Sequence, residues 1–227
     1  MKLVHPEYTF QIRFQEGTVQ KLVVESPAVL SEFMVDFKMQ LAGKEGKWVL
    51  SHDGEVLKIR DHCELIISIF DVDVNQRKML NVLYEDLSEE VLNTELLADW
   101  QNINGTLESI LNQATGNLGY DVRYGELELK SLFKAIELKF REREDGYAED
   151  LLEYLQLVSD VRKIKIFILV NLSSFLTTEE MAYLYEQAFY KKYYLLLLDA
   201  QNGCVDQEVE KTIIIDKDYC VIDVAME

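Results

Sequence analysis

The sequence predicts an α/β fold, a domain built on a mainly parallel sheet into which a set of helices is inserted. Three observations carry this expectation. Two apolar runs, Ile164–Val170 with only Lys165 interrupting it and Tyr193–Leu198, flank a stretch of helical periodicity, the pattern of parallel strands covered on both faces. The opening part, as far as Phe70, is rich in short β-branched and aromatic runs. Between the two, from Asn75 onward, apolar residues recur every three or four positions through four successive segments.

Taken in order, Tyr8, Phe10, Ile12 and Phe14 alternate and Leu22–Val24 run apolar, which predicts two strands around Gly17. Ser26 and Pro27 introduce a helix carrying Val29, Leu30, Phe33, Phe37 and Leu41, and Gly43 ends it. Trp48–Leu50 and Val56–Ile59 around Asp53-Gly54 read as a hairpin. ELIISIF, Glu64–Phe70, reads as a further buried strand. Four helices follow. The first carries Leu80, Leu83, Tyr84, Leu87 and Val91, and the second Leu96, Trp100, Ile103, Leu107, Ile110 and Ala114. After a loop at Gly116–Gly125, the third carries Leu129, Leu132, Phe133, Ile136 and Phe140, and the fourth Leu151, Leu155, Val158 and Val161. Each stripe is expected to bury one helix face against the others. The strands then return. Thr177 and Glu180 form a capping box ahead of a helix that runs to Lys191 and Lys192. Tyr193–Leu198 ends in Asp199, and Thr212–Ile215 and Tyr219–Ile222 supply late strands. The expected organisation is an α/β head from residues 1–74 and 164–227, with a helical leg from 75–163 inserted into it.

Composition narrows the function. The 227 residues are 48% hydrophobic with two prolines, as in a folded chain, and carry a formal net charge of −18. An extended basic surface is therefore excluded, although a cationic groove on an acidic body is not, provided the cations are gathered in one place. The apolar runs are too short to span a bilayer, so no membrane contact is expected. MKLVHPEYTF has one early lysine and no apolar core, unlike a signal peptide. Cys63, Cys204 and Cys220 are widely spaced and form no C-x-x-C pair, which points to reduced thiols and a cytoplasmic protein.

Catalytic motifs fail on inspection. Nucleotide hydrolysis needs a glycine-rich loop ending in Lys-Ser/Thr, whose backbone N–H groups wrap phosphate. Gly43-Lys44 and Gly46-Lys47 lack both the earlier glycine and the following hydroxyl. LLLLD, Leu195–Asp199, imitates a magnesium-binding strand end, but apolar-strand-then-acid is common in α/β sheets. Asp71, Asp73 and Asn75 start like a calcium loop. Gln76 then stands at the glycine position and Val82 at that of the bidentate glutamate, so the segment reads as a looser oxygen cluster or a helix cap. His5, His52 and His62 are scattered, and neither a nucleophile elbow nor zinc-ligand spacing is present.

Charge distribution says more. Acids dominate from Glu85 to Glu128, and Lys130, Lys134, Lys139, Arg141 and Arg143 follow at once. Lys130, Lys134 and Arg141 would share one face of the third helix. Arg162, Lys163 and Lys165 add a second short cluster. These cations read either as solvated helix faces or as a surface contacting phosphates.

The junction VDVN at Val72–Asn75, FILVNLSSFLTTEE at Phe167–Glu180, LLLLD and the ending IIDKDY at Ile214–Tyr219 together resemble the CRISPR type II-A spacer-acquisition protein family. The resemblance implies a head related to the P-loop fold but without nucleotide chemistry, and a helical leg. It implies a non-catalytic homotetrameric ring that holds linear double-stranded DNA in a central hole, stabilised by calcium, beside the CRISPR integrase and the type II effector nuclease. The eight basic residues of the two clusters are then the expected DNA contacts. The family's acidic loop maps to Tyr120–Leu129, where Asp121, Glu126 and Glu128 are candidate calcium ligands. Arg123 and Gly125 interrupt the acids, which implies either weaker calcium or an internal cation in its place. Two other readings stand beside this one: a degenerate nucleotide-binding protein, and an acidic scaffold that recruits partner proteins.

Overall fold

The computed structural model describes residues 1–141, 146–201 and 208–224. The chain divides into two compact units, Met1–Asp73 with Arg143–Glu227, and Val74–Glu142.

The first unit opens with β1 (Lys2–Val4), β2 (Gln11–Arg13) and β3 (Val19–Val24), followed by α1 (Pro27–Leu41). The hairpin β4 (Val49–His52) and β5 (Glu55–Leu57) comes next, then the short α2 (Ile59–His62) and β6 (Cys63–Ile66). The Asp53-Gly54 turn has φ values of 49° and 87°, the double positive φ that a tight two-residue hairpin requires. The second unit holds α3 (Arg77–Asn93), α4 (Leu96–Gly116) and α5 (Leu129–Ala135). The chain then completes the first unit with α6 (Tyr147–Arg162), β7 (Ile166–Val170), α7 (Thr178–Tyr190), β8 (Tyr194–Asp199), β9 (Glu210–Ile215) and β10 (Val221–Val224).

Two sheets form. A six-stranded sheet runs β10-β9-β3-β8-β7-β6, parallel throughout except for the antiparallel β9–β10 pair. The second is an antiparallel four-stranded sheet, β2-β1-β4-β5. The strands expected on either side of Gly17 do not pair with each other: β2 joins β1, whereas β3 enters the parallel sheet between β9 and β8. The reason lies in composition. All six residues of β3 are buried, which suits an interior strand, whereas β2 alternates exposed and buried.

On one face of the parallel sheet, Leu22, Val24, Ile166, Ile168, Val170, Leu196 and Leu198 pack with α1 and the small sheet. Phe37 stacks on Trp48 with centroids 4.5 Å apart, and Phe33 meets the same indole edge-on at 4.8 Å. Burying each such ring contributes roughly 1.5–3 kcal/mol. Residues of opposite parity, among them Val19, Val23, Phe167, Leu169, Leu195 and Leu197, point to the other face. There α6 and α7 present Leu151, Leu155, Val158, Met181 and Leu184, all buried. The helix Tyr147–Arg162 thus belongs to the sheet unit, so that unit resumes well before the expected return at residue 164. Six of its side chains are buried and its Tyr154 hydroxyl donates to Glu64 Oε1 at 3.0 Å, so it cannot be part of a free-standing bundle. The capping box of α7 forms as expected, with Thr177 N–H donating to Glu180 Oε2 at 2.7 Å and Glu180 N–H to Thr177 Oγ1 at 3.2 Å.

A small ionic network lies under the sheet. Lys21, 1% exposed, donates to Glu210 Oε2 at 3.2 Å, and the Tyr185 hydroxyl donates to Glu210 Oε1 at 2.6 Å. Removing either member of such a pair typically costs about 3–5 kcal/mol. Nearby Asp199, also 1% exposed, accepts from Ser173 Oγ at 2.9 Å. Burial pushes its carboxyl up, and Glu210 adds to this, against the opposing pull of Ser173, Lys21 and the Leu172 backbone. The thiol of Cys63 is likewise pushed up, to about 12, by burial, which leaves it an inert core residue. Cys204 lies outside the described residues.

Because the folded chain holds the Asp199 proton more tightly than the unfolded one, whose carboxyl has the ordinary value of 3.8, its contribution to stability falls as pH rises through the raised folded value. Asp199→Asn is therefore expected to raise the melting temperature at neutral pH. The gain should vanish below about pH 4, where both states are protonated. Thermal melts of the two proteins across pH check this, and equal midpoints at neutral pH would contradict it.

Candidate nucleic-acid interface

In the helical unit, α5 packs on α3 through Leu129, which is buried, and through Phe133 and Tyr84, whose rings lie 6.0 Å apart. This contact presents Lys130 and Lys134 one turn apart, both exposed. Lys130 Nζ lies 3.0 Å from Glu85 Oε1 on α3. An exposed pair of this kind contributes about 1 kcal/mol or less and is readily exchanged for a phosphate. Lys134 sits in the last turn of α5, where the helix dipole favours a cation.

The third predicted helix stops early. It ends at Ala135, and Glu137 adopts φ 52°, a left-handed conformation that breaks the helix. Arg141 therefore does not share a helical face with Lys130 and Lys134. The chain is held instead by two side chains from the start of the unit. Asn75 Nδ2 donates to Phe140 O at 3.2 Å while Phe140 N–H donates to Asn75 Oδ1 at 2.8 Å. The Tyr84 hydroxyl donates to Leu138 O at 2.9 Å. This clasp fixes the backbone around Lys139 and Arg141, both exposed. Sequence reasoning counted Asn75 only as a possible oxygen ligand or helix cap. Its role as a two-point backbone clasp depends on a residue 65 positions away and leaves no local signal.

The second basic cluster is built differently. Arg162 is ion-paired with Glu64, which also accepts from Tyr154. Lys163 caps α6 at φ 58° and donates to Asp160 O at 2.6 Å. Lys165 Nζ stands 5.8 Å from the centroid of the Tyr193 ring. These three belong to the sheet unit and have local partners, whereas Lys130, Lys134, Lys139 and Arg141 share the helical unit. Arg143 lies outside the described residues.

The acidic loop is exposed at Asp121, Arg123, Glu126 and Glu128. The Tyr124 hydroxyl donates to Asn112 Oδ1 at 2.7 Å, which folds the loop back on α4. Glu126 thereby lines a cleft of about 480 Å³ together with Glu108, Gln101 and Asn104, but Asp121 and Glu128 do not. Among the described residues no three acids, histidines or cysteines are gathered as a metal would require. Calcium takes six to eight oxygens, so the three carboxylates do not form an intrachain site.

α4 departs from the expected bundle. Of its apolar stripe only Trp100 is buried, while Leu96, Ile103 and Ile110, seven residues apart, are 43%, 52% and 57% exposed. The magnesium-like strand end is also closed. Asp199 is buried, and Asn171, at φ 51°, accepts from Ala200 N–H at 2.9 Å and so turns the chain out of β7.

A protein-family model described as CRISPR-associated protein (Cas_Csn2) matches residues 40–219. The chain belongs to that family. The CRISPR-associated protein Csn2 of Enterococcus faecalis is 25% identical over 152 residues, covering 60% of this chain and 67% of that protein. The crystal structure of Stu0660 of Streptococcus thermophilus superposes with a TM-score of 0.66 at 18% identity, covering 99% of this chain and 76% of the other. The family resemblance read from the sequence is thus confirmed. The α/β fold with a parallel-rich sheet is shared across almost the whole of this Cas_Csn2 chain. No helix among the described residues is long and apolar enough to cross a membrane.

If the Asn75 clasp is what positions Lys139 and Arg141, Asn75→Ala should loosen residues 136–141, at a local cost of roughly 1–3 kcal/mol. Hydrogen exchange read by mass spectrometry checks this. The Phe140 amide should exchange several-fold faster, with the sheet strands unchanged.

Proposed function

We propose that this Cas_Csn2 family member serves CRISPR adaptation as a non-catalytic homotetrameric ring that holds linear double-stranded DNA, beside the integrase and the type II effector nuclease. The observation that carries the reading is the set Lys130, Lys134, Lys139 and Arg141, exposed in one unit of a chain whose net charge is −18. Exposed cations also stand on the sheet unit, but these four follow one another over residues 130–141, and such a local group on an acidic chain suits a protein that admits DNA at one place. Such contacts read phosphates rather than bases, so binding is without sequence preference and falls steeply with salt. No part of this role needs bond chemistry, and the one magnesium-like acid, Asp199, is sealed in the core.

The exposed α4 stripe supports assembly. A helix with Leu96, Ile103 and Ile110 half open to solvent is stabilised by a second apolar surface. Calcium enters the proposal as an ion of the assembly. Asp121, Glu126 and Glu128 each offer hard oxygens, and other chains of the assembly supply the remaining ligands.

The deciding experiment compares a linear duplex with a covalently closed circle of the same sequence. Linear DNA should bind and the circle should not. Lys130→Glu with Lys134→Glu should weaken linear binding at least tenfold and lower the salt slope by roughly two. Equal binding of the circle, or no change in the double variant, overturns the ring reading. Ile103→Asp with Ile110→Asp should lower the mass found by light scattering, and chelation of calcium should act in the same direction. A wild-type monomer in both calcium and chelator would sink the assembly.

A further inference from the structure

The strand β10 ends the six-stranded sheet with one of its two sides open. Its hairpin with β9 is fixed at the tip. Asp216 Oδ1 accepts from Asp218 N–H at 2.9 Å and from Cys220 N–H at 2.8 Å, and Tyr219 stands at φ 66°. Asp216 N–H donates to Cys220 O at 3.1 Å. That bond sets the direction of every backbone group in the strand. Along an antiparallel strand, the N–H and C=O groups of successive residues point alternately toward and away from the partner. Cys220 points toward β9, so Ile222 and Val224 do as well, opposite Ile214 and Thr212. The far side of β9 agrees, since Ile215 O, of the other parity, accepts from Glu25 N–H beyond β3. The N–H and C=O groups of Val221 and Asp223 therefore point out from the sheet.

Outward donors and acceptors in a row are the template for one more strand. Edges that must stay single are usually guarded by a bulge, a proline or a lysine. β10 has none of these: it pairs with β9 through all four residues, Val221 to Val224, without a bulge, and holds neither proline nor lysine. Its side chains are open as well. Ile222 and Val224 share one face of the strand and are 48% and 47% exposed.

We propose that β10 pairs antiparallel with β10 of a second copy, about a two-fold axis at Ile222, so that two six-stranded sheets join edge to edge. Residue order selects this register. With the axis at Ile222, Val221 lies opposite Asp223 of the second copy, and the outward groups of both strands exchange all their hydrogen bonds. Ile222 then meets its own counterpart and Cys220 meets Val224, which covers the exposed apolar face. An axis at Asp223 would set two carboxylates face to face on chains already at −18. An axis at Val221 would set Asp223 opposite Tyr219, which has left the strand at φ 66°. The strand is thus its own complement, as a contact made by the same patch on both copies requires. It uses neither the cations of residues 130–141 nor α4, so the proposal does not rest on the DNA-holding reading.

Disulfide trapping tests this in the full chain, without DNA. Facing residues at a non-hydrogen-bonded antiparallel position have Cα atoms about 4.5 Å apart, within bridging range. In a chain carrying Cys204→Ser and Cys220→Ser, Ile222→Cys should link into a dimer on mild oxidation, read on a non-reducing gel. Val224→Cys in the same background should link roughly tenfold more slowly or not at all, because its two copies would lie about 14 Å apart. Restoring Cys220 should bring Val224→Cys up to the rate of Ile222→Cys, since the register sets residue 220 against residue 224. Asp223→Pro removes an outward N–H that β9 does not use, so it should leave the melting midpoint in place and slow Ile222→Cys linkage roughly tenfold. Equal linkage of Ile222→Cys and Val224→Cys in the serine background reduces the effect to chance collision and overturns the proposal. Absence of the Ile222→Cys link, or a link untouched by Asp223→Pro, overturns it as well and leaves the edge to a strand of another protein.

Discussion

The parallel sheet cannot close until both ends of the chain have been made. Its interior strand β3 comes from residues 19–24, and the two strands that flank it come from residues 194–199 and 210–215. Everything else follows from that distance in sequence. Nearly two hundred residues must be accommodated between hydrogen-bonded neighbours, and a compact helical insertion does so without threading the sheet. The Lys21–Glu210 pair ties the same two ends together from below. A buried charge pair tolerates only the register in which both partners meet, so it specifies the alignment of β3 with β9 more sharply than apolar contacts alone would.

Much of this is legible in the sequence. The continuous apolar runs, the Asp53-Gly54 turn and the Thr177–Glu180 capping box each depend on neighbours within a few residues, and each appears as read. What failed was long-range. Whether β2 and β3 pair with each other or part company depends on which partners reach them from distant segments. The apolar pattern of α6 resembles those of α3 and α4, so periodicity could not tell that it covers a sheet rather than another helix. Ile103 and Ile110 have the spacing of core residues and lie half open, because the sequence records the wish to be buried and not the identity of the cover.

The candidate site divides along the same line. Basic residues were easy to find, but their availability was not. Arg162 and Lys130 look alike as letters in a charged run. One is held by Glu64 inside the sheet unit, and the other makes an exposed pair on α3 that water and phosphate can contest. The acids Asp121, Glu126 and Glu128 are close in sequence, yet the turn of the loop onto α4 places Glu126 in a cleft with Glu108 and without Asp121 or Glu128. Spacing in sequence gathers side chains only where a regular helix or strand carries it.

The two hydrogen bonds between Asn75 and Phe140 bring the two ends of the helical unit side by side. A segment whose ends meet behaves as a cassette. Its helices can lengthen, shorten or change their outer faces while the entry and exit points stay put. The sheet then experiences the insertion only as a short connection. Relatives in such a lineage are free to vary the reach of the leg without renegotiating the core that holds it.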